Sequence, residues 1–221
     1  MIIEGFRKTY RGRTVLDTAE ITLEEGSVTC VIGSNGCGKS TLLRCIAGTV
    51  DPDGRREGPD RPETGYMPQK SYPFKMSVEK NLLIGLPRTD ENRKRAMELL
   101  GELGMSSLAG ERADRLSGGE TQKMALLRVL MRDRGLLLLD EPTSSMDADS
   151  AIRAEKLIRD YTDRTGCVCL MVTHLMKQAQ RISDGIIYMN SGRISEHMPT
   201  EDFFSGKTGP EASRFLELWG A

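Results

Sequence analysis

The segment GSNGCGKST at residues 33–41 has the residue types and spacing of a loop that binds a phosphate chain. Gly33 and the run GKS at 38–40 satisfy the pattern G-x-x-x-x-G-K-[ST]. Glycines let successive backbone N–H groups converge on phosphate oxygens, and a helix that begins near Ser40 directs its positive end at the same anion. Lys39 adds a full charge, and the Ser40 hydroxyl is suited to Mg²⁺. The sequence therefore predicts a nucleotide-phosphate site in this segment.

An acidic pair, Asp140 and Glu141, follows the apolar run LLLL at 136–139. Such a run is typical of a strand buried on both faces, and parallel strands bind ligands at their C-terminal ends. Asp140 is predicted to hold the Mg²⁺ shell, and Glu141 to polarise an attacking water. A solvated strand end is the alternative interpretation, but the phosphate-binding segment in the same chain favours the functional one.

A third segment, LSGGE at 116–120, precedes a predicted helix. Ser117 and the two following glycines would present N–H groups at the N-terminus of that helix, which is a second place suited to an anion. Two anion sites in a chain of this size require one explanation.

With these three segments the chain resembles the ATP-binding cassette (ABC) ATPases over nearly its whole length. In that family the signature loop of one subunit, here residues 116–120, closes over ATP held by the phosphate loop of another subunit, here residues 33–41. The resemblance implies partner-side ATP contacts from the signature loop and from a loop that crosses the dimer interface: Ser117, Gly118, Gly119, Glu120 and Asp147. It implies ATP contacts from an adenine-stacking aromatic, an apolar neighbour of the ring and the phosphate loop: Tyr10, Val15, Gly33, Ser34, Asn35, Gly36, Cys37, Gly38, Lys39, Ser40 and Thr41.

Two further positions gain a role from the same resemblance. Gln69, in YMPQ, resembles the glutamine that links Mg²⁺ and water to the helical subdomain, and His174, in MVTHL, resembles the switch histidine that contacts the γ-phosphate. The implied catalytic residues are Glu141, His174 and Gln69. The implied Mg²⁺ ligands are Ser40, Gln69 and Asp140. Each residue alone has a structural alternative, but their joint occurrence in the family's order favours an ATPase.

Two residues depart from the family pattern. Glu120 stands where glutamine is usual, which puts the partner-side sugar contact in doubt but leaves the phosphate contact of Ser117 and the glycines. Lys123 stands where arginine is usual, so the charge is kept and the bidentate geometry is lost. Cys37 is interpreted as a spacer in the loop, and we expect its thiol to be solvent-accessible in the empty loop and favoured as the thiolate.

The elements that must position these residues alternate between strands and helices. Strands are predicted at 27–32, 65–67, 136–140 and 167–172, and a hairpin at 186–196 with Ser191-Gly192 at its turn. Helices are predicted at 40–47, 77–84, 89–103, 119–133, 148–164 and 175–183, with helical pieces in 200–219. Residues 49–64 read as a turn or hairpin region. This alternation indicates an α/β fold with a mostly parallel sheet.

The resemblance implies a P-loop NTPase sandwich with an N-terminal antiparallel β part and an inserted α-helical subdomain. We expect residues 1–221 to form a single ABC ATPase domain. Residues 1–74 and 134–221 would make the RecA-like and β core, and 75–133 the helical signature subdomain. The segment KSYPFKMSVEKNLL after Gln69 is expected to receive a short helix from a membrane partner, the alternative being a loop that packs its own aromatics.

Composition limits the remaining possibilities. Of 221 residues, 38% are hydrophobic and the net charge is −1, so no nucleic-acid partner is expected. No apolar run approaches the ~18–20 residues of a membrane span, and the N-terminal MIIEGFRKTY does not resemble a secretory signal. Five cysteines without zinc-site spacing fit a reducing cytosol. We therefore expect a cytoplasmic protein, peripheral on the cytoplasmic face of the membrane.

The function expected from the resemblance is MgATP binding and hydrolysis by a subunit that dimerises head to tail with a second copy or a homologous ATPase subunit. This dimer would drive separate integral membrane subunits, and through them a solute-binding protein could be engaged. The C-terminal segment 192–221 resembles the short tails of importer ATPases for small polar solutes. The alternatives are an exporter ATPase subunit, a non-transport ABC ATPase, or an unrelated P-loop enzyme such as a small-molecule kinase.

Overall fold

The computed structural model describes residues 1–54 and 63–219. Half of the turn or hairpin region predicted at 49–64 falls on 55–62, outside the described residues. Ten strands are described: β1 (Ile2–Ile3), β2 (Arg7–Tyr10), β3 (Arg13–Asp17), β4 (Ile21–Thr22), β5 (Val28–Ile32), β6 (Thr64–Met67), β7 (Leu136–Asp140), β8 (Val168–Val172), β9 (Gly185–Asn190) and β10 (Arg193–Pro199).

Eight α-helices are described: α1 (Lys39–Ile46), α2 (Val78–Leu82), α3 (Asp90–Glu102), α4 (Gly118–Leu130), α5 (Ala148–Thr165), α6 (Met176–Ile182), α7 (Thr200–Phe204) and α8 (Pro210–Trp219). Local side chains define several of their N-termini. Thr89 accepts a hydrogen bond from the N–H of Asn92 at the start of α3, and Asp147 accepts one from Ser150 at the start of α5. α5 ends at Gly166, whose φ of 68° is the left-handed conformation that glycine adopts without strain. Among the described residues, no helix has the length and apolar character needed to span a bilayer.

A six-stranded sheet forms the centre of the fold, in the order β10-β9-β5-β8-β7-β6. The neighbouring strands from β9 to β6 run parallel, and only the edge strand β10 is antiparallel. Every residue of β5, β7 and β8 is buried, as expected for strands covered on both faces. The prediction from the continuous apolar run at 136–139 is therefore confirmed.

The apolar core consists of one layer on each face of this sheet. Alternate residues of a strand point to opposite faces, and Leu137 and Leu139 accordingly join the layer that packs against α2 to α6. Leu136 and Leu138 join the other layer, which contains α1 and residues of the N-terminal strands. The sheet thus has helices on both faces, which is the α/β architecture that the sequence predicts.

Two small antiparallel sheets, β1-β4 and β2-β3, make up the N-terminal β part. The predicted C-terminal hairpin is β9-β10, with Ser191 and Gly192 at its turn. Their φ values of 48° and 82° are those of a type I′ turn, which matches the twist of the paired strands. The expected fold, with a mostly parallel sheet and an N-terminal antiparallel part, is confirmed.

Candidate active site

The carboxyl ends of four neighbouring strands meet at one edge of the sheet. The phosphate loop follows β5, His174 follows β8, Glu141 follows β7 and Gln69 follows β6. These strands are adjacent in the order β5-β8-β7-β6 and run parallel. Residues far apart in the sequence therefore line one edge, which is where parallel sheets bind ligands.

The phosphate loop needs glycine at two positions because other chain segments approach its backbone closely. Gly33 has a φ of 145°, and a Cβ atom there would lie 2.2 Å from the carbonyl oxygen of Met189. Gly38 has a φ of 110°, and a Cβ atom there would lie 2.8 Å from the carbonyl oxygen of Val15. Both positions therefore exclude side chains on steric and conformational grounds. The loop tip, Ser34 to Gly36, is exposed, and Thr41 lies half-buried in α1.

The Lys39 ammonium group is folded over its own loop. Its Nζ donates hydrogen bonds to the carbonyl oxygens of Gly33 at 2.7 Å and of Ser34 at 2.9 Å, and it lies 3.9 Å from Cys37 Sγ. Lys39 is buried, so these carbonyl groups replace the hydration that the ammonium group has lost. A phosphate chain in the loop would offer this ammonium group fully charged oxygens instead.

Asp140 has the environment of a cation ligand. Its carboxyl group is fully buried, Ser40 Oγ donates a hydrogen bond to Oδ1 at 3.1 Å, and Oδ2 has no hydrogen-bond partner among the described residues. Burial raises the pKa of Asp140, the Ser40 hydrogen bond lowers it, and the Glu141 charge raises it again. A buried oxygen without a partner beside a hydroxyl group fits Mg²⁺, which prefers oxygen ligands.

No cluster of three or more histidine, cysteine, aspartate or glutamate side chains suited to a metal occurs in residues 1–54 and 63–219. An ion held at Ser40 and Asp140 would therefore complete its shell with phosphate and water oxygens. This division of ligands is usual for Mg²⁺ at nucleotide sites.

Glu141 leaves β7 in an unusual backbone conformation. Its φ of 52° is left-handed for a residue with a side chain, which costs about 1–3 kcal/mol. The backbone is held from two sides, because its N–H donates to the carbonyl oxygen of Val172 at 3.0 Å and its carbonyl oxygen accepts from Gln122 Nε2 at 2.8 Å. The side chain then reaches His174, with Oε2 lying 3.4 Å from Nδ1. A carboxylate so held can accept a proton from a water molecule at this edge.

The signature loop ends in a reciprocal cap at the start of α4. Ser117 Oγ accepts from the N–H of Glu120, while Glu120 Oε2 accepts from the Ser117 N–H at 2.8 Å and from its hydroxyl at 2.7 Å. These hydrogen bonds from Ser117 hold the pKa of Glu120 below its usual value. Glu120, the departure noted in the sequence, is thus bound to Ser117 of its own loop. Gly118 is exposed, which leaves the first turn of α4 open to solvent.

The loop between β7 and α5 packs against this first turn of α4. A Cβ atom on Gly119 would lie 2.7 Å from the carbonyl oxygen of Ser145, so this close approach requires glycine. Asp147 caps α5 through Ser150, whose hydrogen bonds lower the pKa of Asp147 to about 2. Lys123 Nζ lies 3.8 Å from Asp147 Oδ2. The side chain of Asp147 is therefore bonded within its own chain while remaining largely exposed.

The three remaining predicted site residues are Tyr10, Val15 and Gln69. Tyr10 is exposed at the end of β2, with Lys8 Nζ 5.4 Å from its ring centroid. Val15 lies in β3, and its carbonyl oxygen approaches Gly38 of the phosphate loop. Gln69 is exposed and makes no hydrogen bond within residues 1–54 and 63–219.

The expected exposure of Cys37 is wrong. Its side chain is 5% exposed and belongs to the apolar layer that contains Leu16 and Met189. The carbonyl oxygen of Cys37 accepts from the N–H of Gly192 at 2.9 Å, so the turn of the β9-β10 hairpin covers this side of the loop. The thiol faces inward because β3 and the hairpin, both distant in sequence, pack over it. All five cysteines of the chain are buried, and each is present as a thiol rather than in a disulfide.

Three residues contact the site although no pattern in the sequence indicates such a role, including Gly192, which is predicted only as part of a turn. Gly192 joins the phosphate loop to β3, since its carbonyl oxygen accepts from the Asp17 N–H and a Cβ atom on it would lie 2.6 Å from the Val15 carbonyl oxygen. Gln122 and Gln178 are buried glutamines that bond to the loops around Glu141 and His174. A glutamine inside a predicted helix is usually a surface residue, so only the tertiary contacts identify these two.

Comparisons with family models and with curated relatives agree on the family that this chain resembles. The family model described as "ABC transporter" matches residues 16–144. The tungstate uptake system ATP-binding protein TupC of Peptoclostridium acidaminophilum is 40% identical over 205 residues, covering 88% of this chain and 96% of the relative. The aliphatic sulfonates import ATP-binding protein SsuB 2 of Paracoccus denitrificans is 37% identical over 199 residues, covering 89% of this chain and 80% of the relative.

Solved structures share the fold over nearly the whole chain. A structure described as the ATP-binding subunit of an ABC transporter superposes with a TM-score of 0.84 at 21% identity, covering 98% of each chain. The cbiO1 structure from Clostridium perfringens, described as part of the ABC transporter complex cbiONQ, gives a TM-score of 0.76 at 26% identity and covers 98% of this chain and 94% of that one.

Proposed function

This chain belongs to the ABC transporter family, and we propose that it is the MgATP-hydrolysing subunit of an importer for a small oxyanionic solute. The observation that supports the hydrolytic role is the convergence of three groups at the phosphate-loop edge. Asp140 Oδ1 accepts from Ser40, and Glu141 Oε2 lies 3.4 Å from His174 Nδ1. This set combines a cation ligand, a base and a histidine beside one phosphate-binding loop.

In this proposal the phosphate loop binds the triphosphate of ATP through its backbone N–H groups and Lys39. Tyr10 stacks on adenine and Val15 contacts the ring. Ser40 and Asp140, with Gln69 from the neighbouring strand end, would hold Mg²⁺, and the ion would supply positive charge to offset that of the phosphates. Asp140 suits this role because its buried carboxylate is compensated only incompletely by Ser40.

Glu141 is assigned as the base that takes a proton from the water molecule attacking the γ-phosphate. His174 is assigned to the γ-phosphate itself, since its ring neighbours the Glu141 carboxylate and is partly exposed. The left-handed backbone at Glu141, held by Val172 and Gln122, supports this assignment, because strained and over-determined conformations cluster at functional sites.

The site is completed by a second copy or by a homologous subunit. Ser117, Gly118 and Gly119 lie at the open N-terminus of α4, and a helix of this length presents free N–H groups to an anion. We propose that they contact the γ-phosphate held by the partner, with Asp147 on the same face. Residues 75–133 would then act as the helical signature subdomain, and residues 1–74 and 134–221 as the core that binds ATP.

The relatives suggest the transported solute. TupC belongs to a tungstate uptake system and SsuB 2 to the import of aliphatic sulfonates. Tungstate and sulfonates both carry a negatively charged tetrahedral centre, so we propose an oxyanion or sulfonate importer. The chain would act at the cytoplasmic face of the membrane, attached to integral membrane subunits that receive solute from a binding protein.

Two experiments test this proposal. Lys39→Ala should weaken MgATP binding severely in calorimetry, because the cationic side chain of the loop is lost, and near-normal affinity would reject the phosphate-loop assignment. Deletion of the chain from its native host should abolish high-affinity uptake of tungstate or of an alkanesulfonate. Unchanged uptake of both solutes would reject the oxyanion assignment while leaving the ATPase assignment intact.

A further inference from the structure

Gln178 connects the two loops that carry Glu141 and His174. Its side chain is only 3% exposed. The amide oxygen accepts from the Thr173 hydroxyl at 2.7 Å, and Nε2 donates to Thr143 Oγ1 at 2.8 Å. Thr173 directly precedes His174, and Thr143 follows Glu141 after one intervening residue. One buried amide group therefore spans the gap between the loop after β7 and the loop after β8.

The orientation of this amide is fixed by Glu155, a buried carboxylate that pairs with the partly exposed Arg181. Nε2 of Gln178 also donates to Glu155 Oε1 at 3.0 Å. Glu155 is itself buried and accepts two hydrogen bonds from Arg181, at 2.6 Å and 2.7 Å. A carboxylate accepts only, so the NH₂ group must face Glu155 and the oxygen must face Thr173. Both amide hydrogens are thereby used, and the side chain is held in one position.

The Thr173 hydroxyl extends this connection across His174. It accepts from the N–H of Leu175 at 3.1 Å while it donates to Gln178. Through this hydroxyl, the residues on both sides of His174 are connected to the Gln178 amide. On the other loop, the Glu141 N–H is attached to Val172 by a backbone hydrogen bond. Gln178 supplies a second connection between the loops, through Thr143 and Thr173.

We propose that Gln178 is a positioning residue for ATP hydrolysis, holding the loops of Thr143 and Thr173 at the separation that brings Glu141 to His174. The inference rests on the proposed roles of Glu141 and His174. Within the described part of the chain, Gln178 makes no hydrogen bond to the phosphate loop. Loss of its amide should therefore slow turnover and leave ATP binding intact.

The first test is Gln178→Met in the full chain, which keeps the length of the side chain and removes its hydrogen bonds. Misplacement of reacting groups by ~1 Å can cost ~10²-fold in rate, so we expect kcat for ATP hydrolysis to fall ~10- to 100-fold. The KM for ATP should stay within about twofold, since binding and turnover use different contacts. Gln180→Met is the matched control, because Gln180 lies on the same helix with its side chain exposed. It should keep the wild-type kcat.

Thr143→Val and Thr173→Val provide a second test that preserves side-chain shape, and they replace Gln178→Met if that variant does not fold. Each should lower kcat at constant KM. Combining Gln178→Met with Thr143→Val should add little further loss, because residues that act through one network are not additive. Wild-type kcat in Gln178→Met, or fully additive losses in the double variant, would overturn the inference. Glu141→Gln, assayed in parallel, distinguishes failure of this inference from failure of the proposed function. Normal hydrolysis in that variant would reject Glu141 as the base.

Discussion

The imidazole Nδ1 atom of His174 lies 3.4 Å from the carboxylate Oε2 atom of Glu141, although the two residues follow different strands. The strands are neighbours in the sheet and run parallel, with Asp140 paired with Val172. Their C-terminal loops therefore leave the sheet side by side. The Glu141 side chain is mostly buried and that of His174 is partly open. The phosphate loop follows β5, which neighbours β8, so it leaves the same edge of the sheet.

Glu141→Gln should bind ATP and hydrolyse it ~10²–10⁴-fold more slowly, because the amide keeps the size of the side chain and lacks its basicity. Removal of the negative charge should also favour closure of two copies over ATP. Phosphate release and light scattering in the presence of MgATP measure the two effects. Turnover at the wild-type rate would mean that the base is another residue.

Asp140→Asn should raise the melting temperature of the nucleotide-free protein. Burial raises the pKa of Asp140, so the fold disfavours its ionised form. A carboxyl group whose pKa in the folded state exceeds its ordinary value of ~3.9 lowers the free energy of unfolding as the pH rises from the ordinary pKa to the folded one. The advantage of the variant should therefore be full at neutral pH and should shrink as the pH is lowered towards ~4. Each 1 kcal/mol corresponds to about 2–4 °C for a chain of this size.

The same variant should lose the response to MgATP. Wild-type protein should melt at a higher temperature with MgATP than with ATP and a chelator, and Asp140→Asn should show no such difference. Ser150→Ala, which removes a capping contact of α5, serves as a control that should keep the Mg²⁺ response. An unchanged Mg²⁺ response in Asp140→Asn would exclude Asp140 as a ligand.

Glu120→Gln should strengthen ATP-dependent association. In the wild-type chain the Ser117 hydroxyl donates to the Glu120 carboxylate, and that charge would lie close to the partner's phosphates. The amide weakens the hold on Ser117 and removes the like charge. Analytical ultracentrifugation with ATP, in the Glu141→Gln background, measures the dimer dissociation constant. Weaker association of the variant would show that the carboxylate itself contributes to the contact.

Phe74→Glu should abolish binding to the membrane subunits and leave MgATP affinity unchanged. The Phe74 ring is 52% exposed and Tyr72 is 75% exposed. The Phe74 backbone is held by Asn81, whose side chain both donates to and accepts from it. The segment therefore presents its aromatic rings to solvent on an ordered backbone, which suits an apolar partner helix. Co-purification that survives this change would show that the docking surface lies elsewhere. Lys94→Glu, on the exposed face of α3, is the control.

Cys37 should resist alkylation in the folded protein, with or without MgATP, because its thiol lies in the apolar layer beneath the loop. Mass spectrometry should find all five cysteines unmodified under native conditions and modified in denaturant. Rapid native labelling that maps to Cys37 and disappears with MgATP would restore the exposed-thiol interpretation. Cys37→Ala identifies the labelled position.

Several structural elements could be predicted from the sequence because neighbouring residues determine their conformation. The run LLLL predicts a strand buried on both faces, and Ser191-Gly192 predicts a turn because few other residues tolerate two successive positive φ angles. The phosphate loop could be predicted from the sequence because backbone N–H groups, a cation and a hydroxyl must occur within a few residues to surround phosphate. Asp140 and Glu141 could be predicted as site residues because they stand at the C-terminal end of a buried strand.

Other properties depended on which segments pack together. Cys37 is buried because the β9-β10 turn and β3 cover the loop, and no pattern within residues 33–41 encodes that contact. Gln122 and Gln178 acquire their positions because α4 and α6 pack beside the loops that follow β7 and β8. The sequence by itself determined the chemical groups and the edge of the sheet at which they occur. Only the tertiary structure decided which buried amides hold those groups in place, since hydrogen bonds between distant segments depend on strand order and packing rather than on local residue pattern.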